Sequence, residues 1–506
     1  MTRTFDTEGK PSSRVRLTER YRGEELVQTT DDRPTIAIAG ATGFVGQALI
    51  PRLVHTFNIV GLTRSPTRAA MKGDDGIQWR HCDLFSMSAV ERALEGVDIA
   101  LYLVHSMLPS ARLTQADFVD LDLLLADNFS RAAEANGVRQ IIYIGGILPT
   151  TETPSSHLRS RHEVEQTLSA RRTPVTSLRA GLIVGPGGSS FAMLVNLVRR
   201  LPVMLLPAWT RGKSSPIAID DVVRAVHRCV GRTEAFGEAY DIGGPESMSY
   251  HEMLARTAQF LGLRRRMLRV SFVSVELSRL WVSAVTGASA ELVGPLIESL
   301  RYSLVPDDNA LQTWLRKDAL SFEEALRRST DEAGRAMPNP RSVIKVKDAR
   351  RLRAMKTVRS VQRLPLPEEH RAQWAAHEYM RWLPSFVWPL LTCRVSEGGV
   401  VRFYVRSTSL FLLELSHAPE RSQPDRQLFR ITGGLLAKVA ETASPGRFEF
   451  REVLQGRHLI AAIHDFRPAL PWFIYNLSQA LVHLWVMKGF GRHLAANSTH
   501  QPAAER

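Results

Sequence analysis

Three glycines stand at a spacing that suits a pyrophosphate-binding turn. Gly40, Gly43 and Gly46 follow the apolar run Ile36–Ala39 and lead into the amphipathic stretch Gln47–Leu53. The first glycine permits a sharp turn out of a buried strand, the second lets backbone approach a ligand, and the third lets helix and strand pack closely. The helix N-terminus then offers unpaired N–H groups to a phosphate. The alternative is a tight glycine turn that binds nothing. The residues predicted to hold a dinucleotide here are Gly40, Thr42, Gly43, Phe44, Val45 and Gly46.

The second predicted strand, Phe57–Thr63, is followed by a basic residue rather than an acidic one. It closes a βαβ unit, after which an acidic side chain usually accepts hydrogen bonds from the ribose of NAD. This chain has Arg64, with Arg68 as a helper, and a guanidinium can pair with a 2′-phosphate or stack on adenine. The sequence therefore predicts NADP(H) as the preferred cofactor, with NAD(H) also able to bind. The alternative is that Arg64 is a solvated surface residue.

Further strand-like and turn segments follow in a recognisable order. They are Asp83-Leu84, Asp98–Ser106, Gln140–Gly146, Ser177–Gly187, Pro216–Asp221 and Tyr240–Glu246. Together with the glycine turn, they resemble the extended or atypical short-chain dehydrogenases/reductases, over a span from Gly40 to about Glu252. In that family the Asp-Leu pair contacts adenine, and the ends of the fourth and fifth strands line the ribose and nicotinamide. The resemblance implies a doubly wound parallel Rossmann sheet of the α/β class. It adds five residues to the predicted cofactor pocket, namely Asp83, Leu84, Val104, His105 and Gly145.

The helix that would carry the family's catalytic Tyr-x-x-x-Lys pair does not contain that pair. Residues Ser155–Glu165 instead hold His157 and Arg161, whose i, i+4 spacing puts both side chains on one helix face. We therefore predict that His157 is the proton donor, with imidazole in place of phenol, and that Arg161 is its partner. The alternative is an exposed polar face with no catalytic part.

The segments Tyr102–Met107, Gly145-Gly146 and His157–Arg161 narrow the resemblance. They are similar to bacterial atypical members of the family that carry a C-terminal domain of unknown function. Relatives of these include NmrA-type cofactor sensors and the dehydrogenase-like accessory subunit of respiratory complex I. The resemblance implies an NADP(H)-dependent oxidoreductase or epimerase-like enzyme acting on a hydrophobic or ring-containing small molecule. The alternative is a non-catalytic NAD(P)H-binding sensor or scaffold.

Length and composition indicate more than one folded unit. With 506 residues, 44% of them hydrophobic and 23% charged, the chain can bury large cores. Apolar residues at helical spacing predict a helical substrate lobe, and short strands before one long apolar helix predict an α+β domain at the end. The order of that domain's elements resembles the helix-grip fold of polyketide-cyclase and START-like proteins. The predicted divisions are a disordered tail over 1–33, the Rossmann domain over 34–250, the helical lobe over 251–335, a basic linker over 336–359, the helix-grip-like domain over 360–492 and a disordered tail over 493–506.

The net charge of +14 is concentrated in the last third of the chain. Residues 337–506 hold 25 Lys and Arg against 13 Asp and Glu, and Arg341–Arg363 holds nine basic residues against Asp348 alone. Such a run can bind phosphates, acidic lipid or nucleic acid. It lacks interleaved aromatics and any groove-binding motif, so sequence-specific nucleic-acid recognition is not predicted. A solvated interdomain segment is the favoured interpretation.

The cysteines and the most apolar helix bear on location and partners. Cys82, Cys229 and Cys393 have neither metal-binding nor redox spacing, which predicts no metal site and favours a reducing, cytoplasmic compartment.

Ala469–Met487 carries no charge and approaches the length of a bilayer span. Polar residues interrupt it, which favours a packed amphipathic helix over Pro471–Lys488. Peripheral membrane association is the alternative.

Overall fold

The computed structural model describes most of the chain. The described residues are 17–22, 25–30, 33–71, 76–105, 114–150, 154–270, 282–287, 290–339, 358–388, 391–396, 399–438, 446–470, 475 and 479–499.

A seven-stranded parallel sheet forms the first unit. Its strand order is β14-β9-β8-β6-β3-β4-β5, with β3 Thr35–Ala39, β4 Asn58–Thr63, β5 Ile77–His81, β6 Ile99–Tyr102, β8 Gln140–Gly146, β9 Val175–Ala180 and β14 Ala239–Ile242. Strand β3 is buried along its whole length because helices cover both faces of the sheet, which explains its unbroken apolar sequence. The chain reverses its direction of progress across the sheet between β3 and β6, and ligands bind at such a switch point. The prediction of a doubly wound parallel sheet is confirmed.

Helices connect these strands and flank the sheet. They are α1 Phe44–Leu53, α2 Pro66–Ala69, α3 Met87–Ala93, α4 Phe118–Ala135, α5 Ser156–Leu168 and α7 Ile219–Cys229. Helix α4 is buried nearly all round, because its other face packs on the C-terminal unit.

A smaller lobe stands beside the sheet, around its own apolar cores. Its helices are α6 Ser189–Arg200, α8 Tyr250–Phe260, α9 Ala290–Ser299 and α11 Phe322–Ser329, whereas α10 Ala310–Arg316 packs on a core of the first sheet. Its short strands are β10 Ile183–Val184, β11 Val203–Pro207, β12 Lys213–Ser214, β13 Ile217–Ala218, β15 Met248–Ser249 and β16 Arg266–Val270. The lobe thus begins before the predicted boundary at residue 251, since β11 pairs in parallel with β16. Part of the predicted lobe, residues 271–281 and 288–289, lies outside the described residues.

The C-terminal unit is built on a second sheet, with strand order β18-β19-β20-β21-β22-β23-β17-β7. Its strands are β17 Val358–Pro365, β18 Leu391–Val395, β19 Val400–Val405, β20 Phe411–His417, β21 Arg426–Gly433, β22 Gly446–Val453 and β23 His458–Phe466, and β7 Thr114–Gln115 adds from the first unit. All neighbours are antiparallel except β17 and β7. Helices α12 Ala372–Phe386 and α13 Gln479–Thr499 enclose a core against this sheet.

The unit runs in the order strand, helix, six strands and final helix, and β17 pairs with the last strand β23. The assignment to the helix-grip fold stays a prediction. Most of 471–478, the first part of the helix predicted over Pro471–Lys488, lies outside the described residues, and α13 continues beyond Lys488 into the segment predicted to be a disordered tail. At the other end, a hairpin of β1 Leu17–Arg22 and β2 Glu25–Thr30 lies in the segment predicted to be a disordered tail. Within the described part of the chain, no helix is both long and apolar enough to cross a bilayer.

Candidate functional site

The glycine turn connects β3 to α1 at the switch point of the sheet. Gly40 has a φ of +92°, a conformation that favours glycine, and a Cβ there would lie 3.0 Å from the carbonyl oxygen of Leu103. A Cβ on Gly46 would lie 2.5 Å from the Gly40 oxygen, so this glycine permits the close packing of helix on strand. Gly43 forms the N-cap of α1 and donates its N–H to the Gly40 carbonyl at 2.8 Å. The turn therefore has the cradle that a pyrophosphate needs.

A cavity of about 350 Å³ opens against this turn. Eight of the twelve residues predicted to bind the cofactor line it, namely Gly40, Thr42, Gly43, Arg64, Asp83, Leu84, Val104 and His105. We call this space the dinucleotide cavity. The four others lie outside its wall: Phe44 packs near Gly185 and Gly188, Val45 joins the core under the sheet, Gly46 contacts the turn itself, and Gly145 lies under the ring of Tyr143.

The two predicted arginines behave differently. Arg64 lies at the end of β4, exposed and on the wall of the dinucleotide cavity. Arg68 is buried, and its guanidinium lies 4.9 Å from the centre of the Trp79 ring, away from that wall. Of the pair, only Arg64 is positioned to meet a bound nucleotide.

The C-terminal unit also reaches this cavity, which no pattern in the sequence had indicated. Arg359, from β17, lines the dinucleotide cavity and forms an ion pair with Asp83. Its guanidinium also lies 4.6 Å from the centre of the Phe85 ring. Burial alone would raise the pKa of Asp83, but the neighbouring Arg359 and Arg64 hold that pKa below its usual value, so the carboxylate is ionised.

Two histidines and an aspartate form a hydrogen-bonded chain at the other end of the cavity. His105 Nδ1 lies 2.9 Å from Asp122 Oδ2, and His105 Nε2 lies 3.3 Å from His157 Nδ1. A carboxylate behind an imidazole orients the ring and stabilises its charged form. We call this chain the histidine relay. His105 was predicted only as a cofactor contact, but in the structure it also contacts His157, the predicted proton donor.

Arg161 contacts two members of the histidine relay, Asp122 and His105. It is buried, donates to Asp122 Oδ2 at 2.6 Å and lies 2.7 Å from His105 Nδ1. Burial lowers the pKa of His105, and the positive charge of Arg161 lowers it further. Burial, His105 and Arg161 together lower the pKa of His157 to about 3. Arg161 is therefore a positioning residue and, together with burial, favours the neutral form of both imidazoles.

A second cavity, of about 170 Å³, lies on the far side of His157. Its wall is predominantly apolar and comes mainly from the lobe. It includes Leu158, Met193, Leu194, Leu197, Leu254, Val282, Val293, Ile297 and Leu304, with Ser190, Thr210, Tyr250 and Ser299 as polar members. We call it the apolar cavity. An apolar wall with few polar groups is typical of a site for a small hydrophobic ligand.

Asp122 and Arg359 are the residues that sequence reasoning missed. Asp122 had a signal, because it is an acidic residue inside the leucine-rich stretch of α4, and a buried carboxylate needs a partner. Arg359 belongs to the basic run interpreted as solvated. Arg359 is instead buried. Arg363, on the same strand, is half-buried and pairs with Asp120 and Glu163. The rest of that run, 341–357, lies outside the described residues.

Cys82 lines the dinucleotide cavity, but neither it nor Cys229 is a reactive thiol. Burial raises the pKa of Cys82 to about 12 and that of Cys229 to about 11, so both are protonated and unreactive at neutral pH. No cluster of metal-ligating side chains occurs among the residues described.

Comparison with known proteins agrees with a nucleotide site. A family model described as NAD(P)H-binding matches residues 40–183. The chain is 34% identical to the auxiliary protein GraX of Staphylococcus aureus over 122 residues. This stretch covers 24% of this chain and 39% of GraX. It is also 25% identical to quinone oxidoreductase 2 of Escherichia coli over 236 residues. This stretch covers 45% of this chain and 74% of that enzyme.

Among solved structures, the NADPH complex of an NADPH-dependent quinone oxidoreductase from Escherichia coli is similar, with 22% identity and a TM-score of 0.46. The similarity covers 57% of this chain and 98% of that one. The chain spans well under half the length of the GraX protein that it matches.

Proposed function

We propose that the protein is an atypical, NmrA-like short-chain dehydrogenase/reductase, and within that family an NADP(H)-dependent oxidoreductase acting on an apolar small molecule, since residues 40–183 match an NAD(P)H-binding family model. One observation carries the proposal. The dinucleotide cavity and the apolar cavity meet at the histidine relay, since His105 lines the first, His157 lines the second, and 3.3 Å separates their ring nitrogens.

The glycine turn binds the pyrophosphate, and Arg64 favours the 2′-phosphate of NADP(H). When bound, NADPH supplies a hydride. His157 lines the apolar cavity, and its Nε2, the ring nitrogen that does not contact His105, would donate a hydrogen bond to a substrate oxygen there. A neutral imidazole is an effective donor to an oxygen on which negative charge develops.

The relay also supplies the proton that a reduced oxygen needs. When His105 is protonated, its Nε2 proton can pass to His157 Nδ1 as the proton on His157 Nε2 passes to the substrate. His157 then stays neutral throughout, in agreement with its low pKa. In the neutral ring His105 Nδ1 accepts from Arg161, and when that nitrogen gains a proton Asp122 accepts from it and stabilises the charged form of the ring. The single proton taken up from solvent thus enters at His105.

The substrate class follows from the apolar cavity. Its wall offers dispersion contacts and only a few hydroxyl groups, which suits a hydrophobic or ring-containing molecule. Quinones are the first compounds to test, because a relative of this chain is a quinone oxidoreductase.

The experiment is a steady-state assay of NADPH oxidation by the full-length protein with hydrophobic quinones and ketones. Wild type should consume NADPH, and His157→Ala should consume it about a hundredfold more slowly with unchanged NADPH affinity. His162→Ala is the matched control, since His162 lies on the same helix outside both cavity walls. An activity that survives in His157→Ala would show that His157 takes no part in proton transfer.

One observation favours a second function, that of a non-catalytic NAD(P)H-binding protein. Helix α5 carries no tyrosine, so the chain lacks a phenol at the position where the family's lysine acts on its catalytic tyrosine. In this reading the protein binds NAD(P)H as a sensor or scaffold. Tight NADPH binding without turnover on any acceptor would support it.

A further inference from the structure

We propose that Arg359 of the C-terminal unit, together with Arg64, binds the 2′-phosphate of NADP(H), so that the cofactor site is shared by the two units. This inference rests on the proposed function, because it assigns a recognition role within the same dinucleotide cavity.

The local backbone directs Arg359 at the cavity. The pairing of β17 with β23 slips out of register between Val358 and Ser360, opposite His464 and Asp465. A bulge of this kind re-aims the side chain at that point of a sheet. On its other edge, Arg359 pairs with Thr114 of β7, which fixes β17 to the first unit.

Charge at the cavity wall is unbalanced. Arg64 and Arg359 carry two positive charges, and Asp83 supplies one negative charge between them. Arg64 has no ion-pair partner among the described residues. Arg359 is 6% exposed, and its Nε atom has no hydrogen-bond partner in the described part of the structure. A buried unsatisfied donor is costly, so an acceptor brought by a ligand would be favoured there.

The position of this excess charge selects the ligand's chemistry. Arg64 follows β4 and Asp83 follows β5, which places both beyond the pyrophosphate cradle at the adenosine end of the cavity. A 2′-phosphate there adds two negative charges and three strong acceptor oxygens, which match two guanidinium groups. NADH has only hydroxyl groups at the same place and gains much less.

The test compares the affinities of NADPH and NADH for the full-length protein by calorimetric titration. Arg359→Gln should weaken NADPH binding by about tenfold to a hundredfold and change NADH binding by less than about threefold, since each charge-assisted hydrogen bond has that order of effect. Arg363→Gln is the matched control, because Arg363 lies on the same strand, pairs with Asp120 and Glu163 across the same interface, and does not line the cavity. It should leave the ratio of the two affinities unchanged.

A double variant separates contact from repulsion. Arg359→Gln leaves Asp83 unpaired, and that carboxylate would itself repel a phosphate. Asp83→Asn with Arg359→Gln removes the repulsion, and we still expect the preference for NADPH to be reduced. A full return of the preference in the double variant, or an unchanged preference in a folded Arg359→Gln, would overturn the inference. Failure of wild type to bind either nucleotide would instead overturn the proposed function.

Discussion

The pH dependence of reduction tests the histidine relay most closely. In the proposed mechanism the proton reaches the substrate through protonated His105, so the rate should depend on the fraction of His105 that carries a charge. Burial and Arg161 lower the pKa of His105 below its ordinary value near 6.5, so this fraction is small at neutral pH. The rate should therefore rise as pH falls from about 8, by up to tenfold per unit, until the lowered pKa is reached.

The size of the effect of each substitution follows from the geometry. General acid catalysis contributes about 10²- to 10⁴-fold. The 3.3 Å separation of His105 Nε2 and His157 Nδ1 is long for a hydrogen bond, which places the relay at the lower end of that range. We expect His105→Gln to reduce the rate about a hundredfold and to flatten the pH profile below pH 8. Binding of NADPH should change far less.

The assay is the initial rate of NADPH oxidation by a hydrophobic acceptor between pH 5 and pH 9, at saturating cofactor. Wild type, His105→Gln and the control His162→Ala are compared. A pH slope that persists unchanged in His105→Gln would refute the relay, because the proton would then reach the substrate by another route.

Three further predictions concern the cofactor and the joint between the units. Gly43→Val should abolish the stabilisation of the fold by bound nucleotide, which is about 2.7 kcal/mol at a ligand concentration a hundred times its Kd, because the new side chain fills the cradle. If the melting temperature of the folded variant still rises with NADPH, the site lies elsewhere. Arg64→Asp should reverse the nucleotide preference, since a carboxylate repels the phosphate and accepts from the ribose of NADH; equal affinities in wild type, measured by titration, would mean that Arg64 makes no contact. Arg451→Leu should reduce the free energy of unfolding by about 3–5 kcal/mol in chemical denaturation, because Asp127 and Glu449 lose a fully buried partner, whereas Arg402→Leu at an exposed pair should cost less than about 1 kcal/mol.

The sequence predicted best what depends on local geometry. The glycine turn and the buried run before it have few physical alternatives, so the parallel sheet and most of the cavity wall beside Gly40 follow from them. The i, i+4 spacing of His157 and Arg161 correctly put them on one helix, but spacing cannot tell which of them is buried. In the structure Arg161 lies behind His105, and His157 alone reaches the apolar cavity.

The sequence predicted least where two units meet. Helix α4 lies between the two sheets, and this position turns Asp122 toward the relay and Asp127 toward Arg451 of the C-terminal unit. The basic run interpreted as solvated supplies Arg359 and Arg363 to partly or fully buried ion pairs because carboxylates of the first unit face them. Such pairs join residues more than two hundred positions apart, and no periodicity within either segment encodes them.

The proposed function depends on hydride transfer between a nucleotide in the dinucleotide cavity and a molecule in the apolar cavity. The most direct measurement is a single turnover of protein-bound NADPH with a hydrophobic quinone or ketone, using NADPH with and without deuterium at the transferable position of the nicotinamide. We predict that the bound NADPH is consumed and that deuterium slows its consumption. Bound NADPH that persists with every acceptor tested would contradict the claim and leave the protein as a nucleotide sensor.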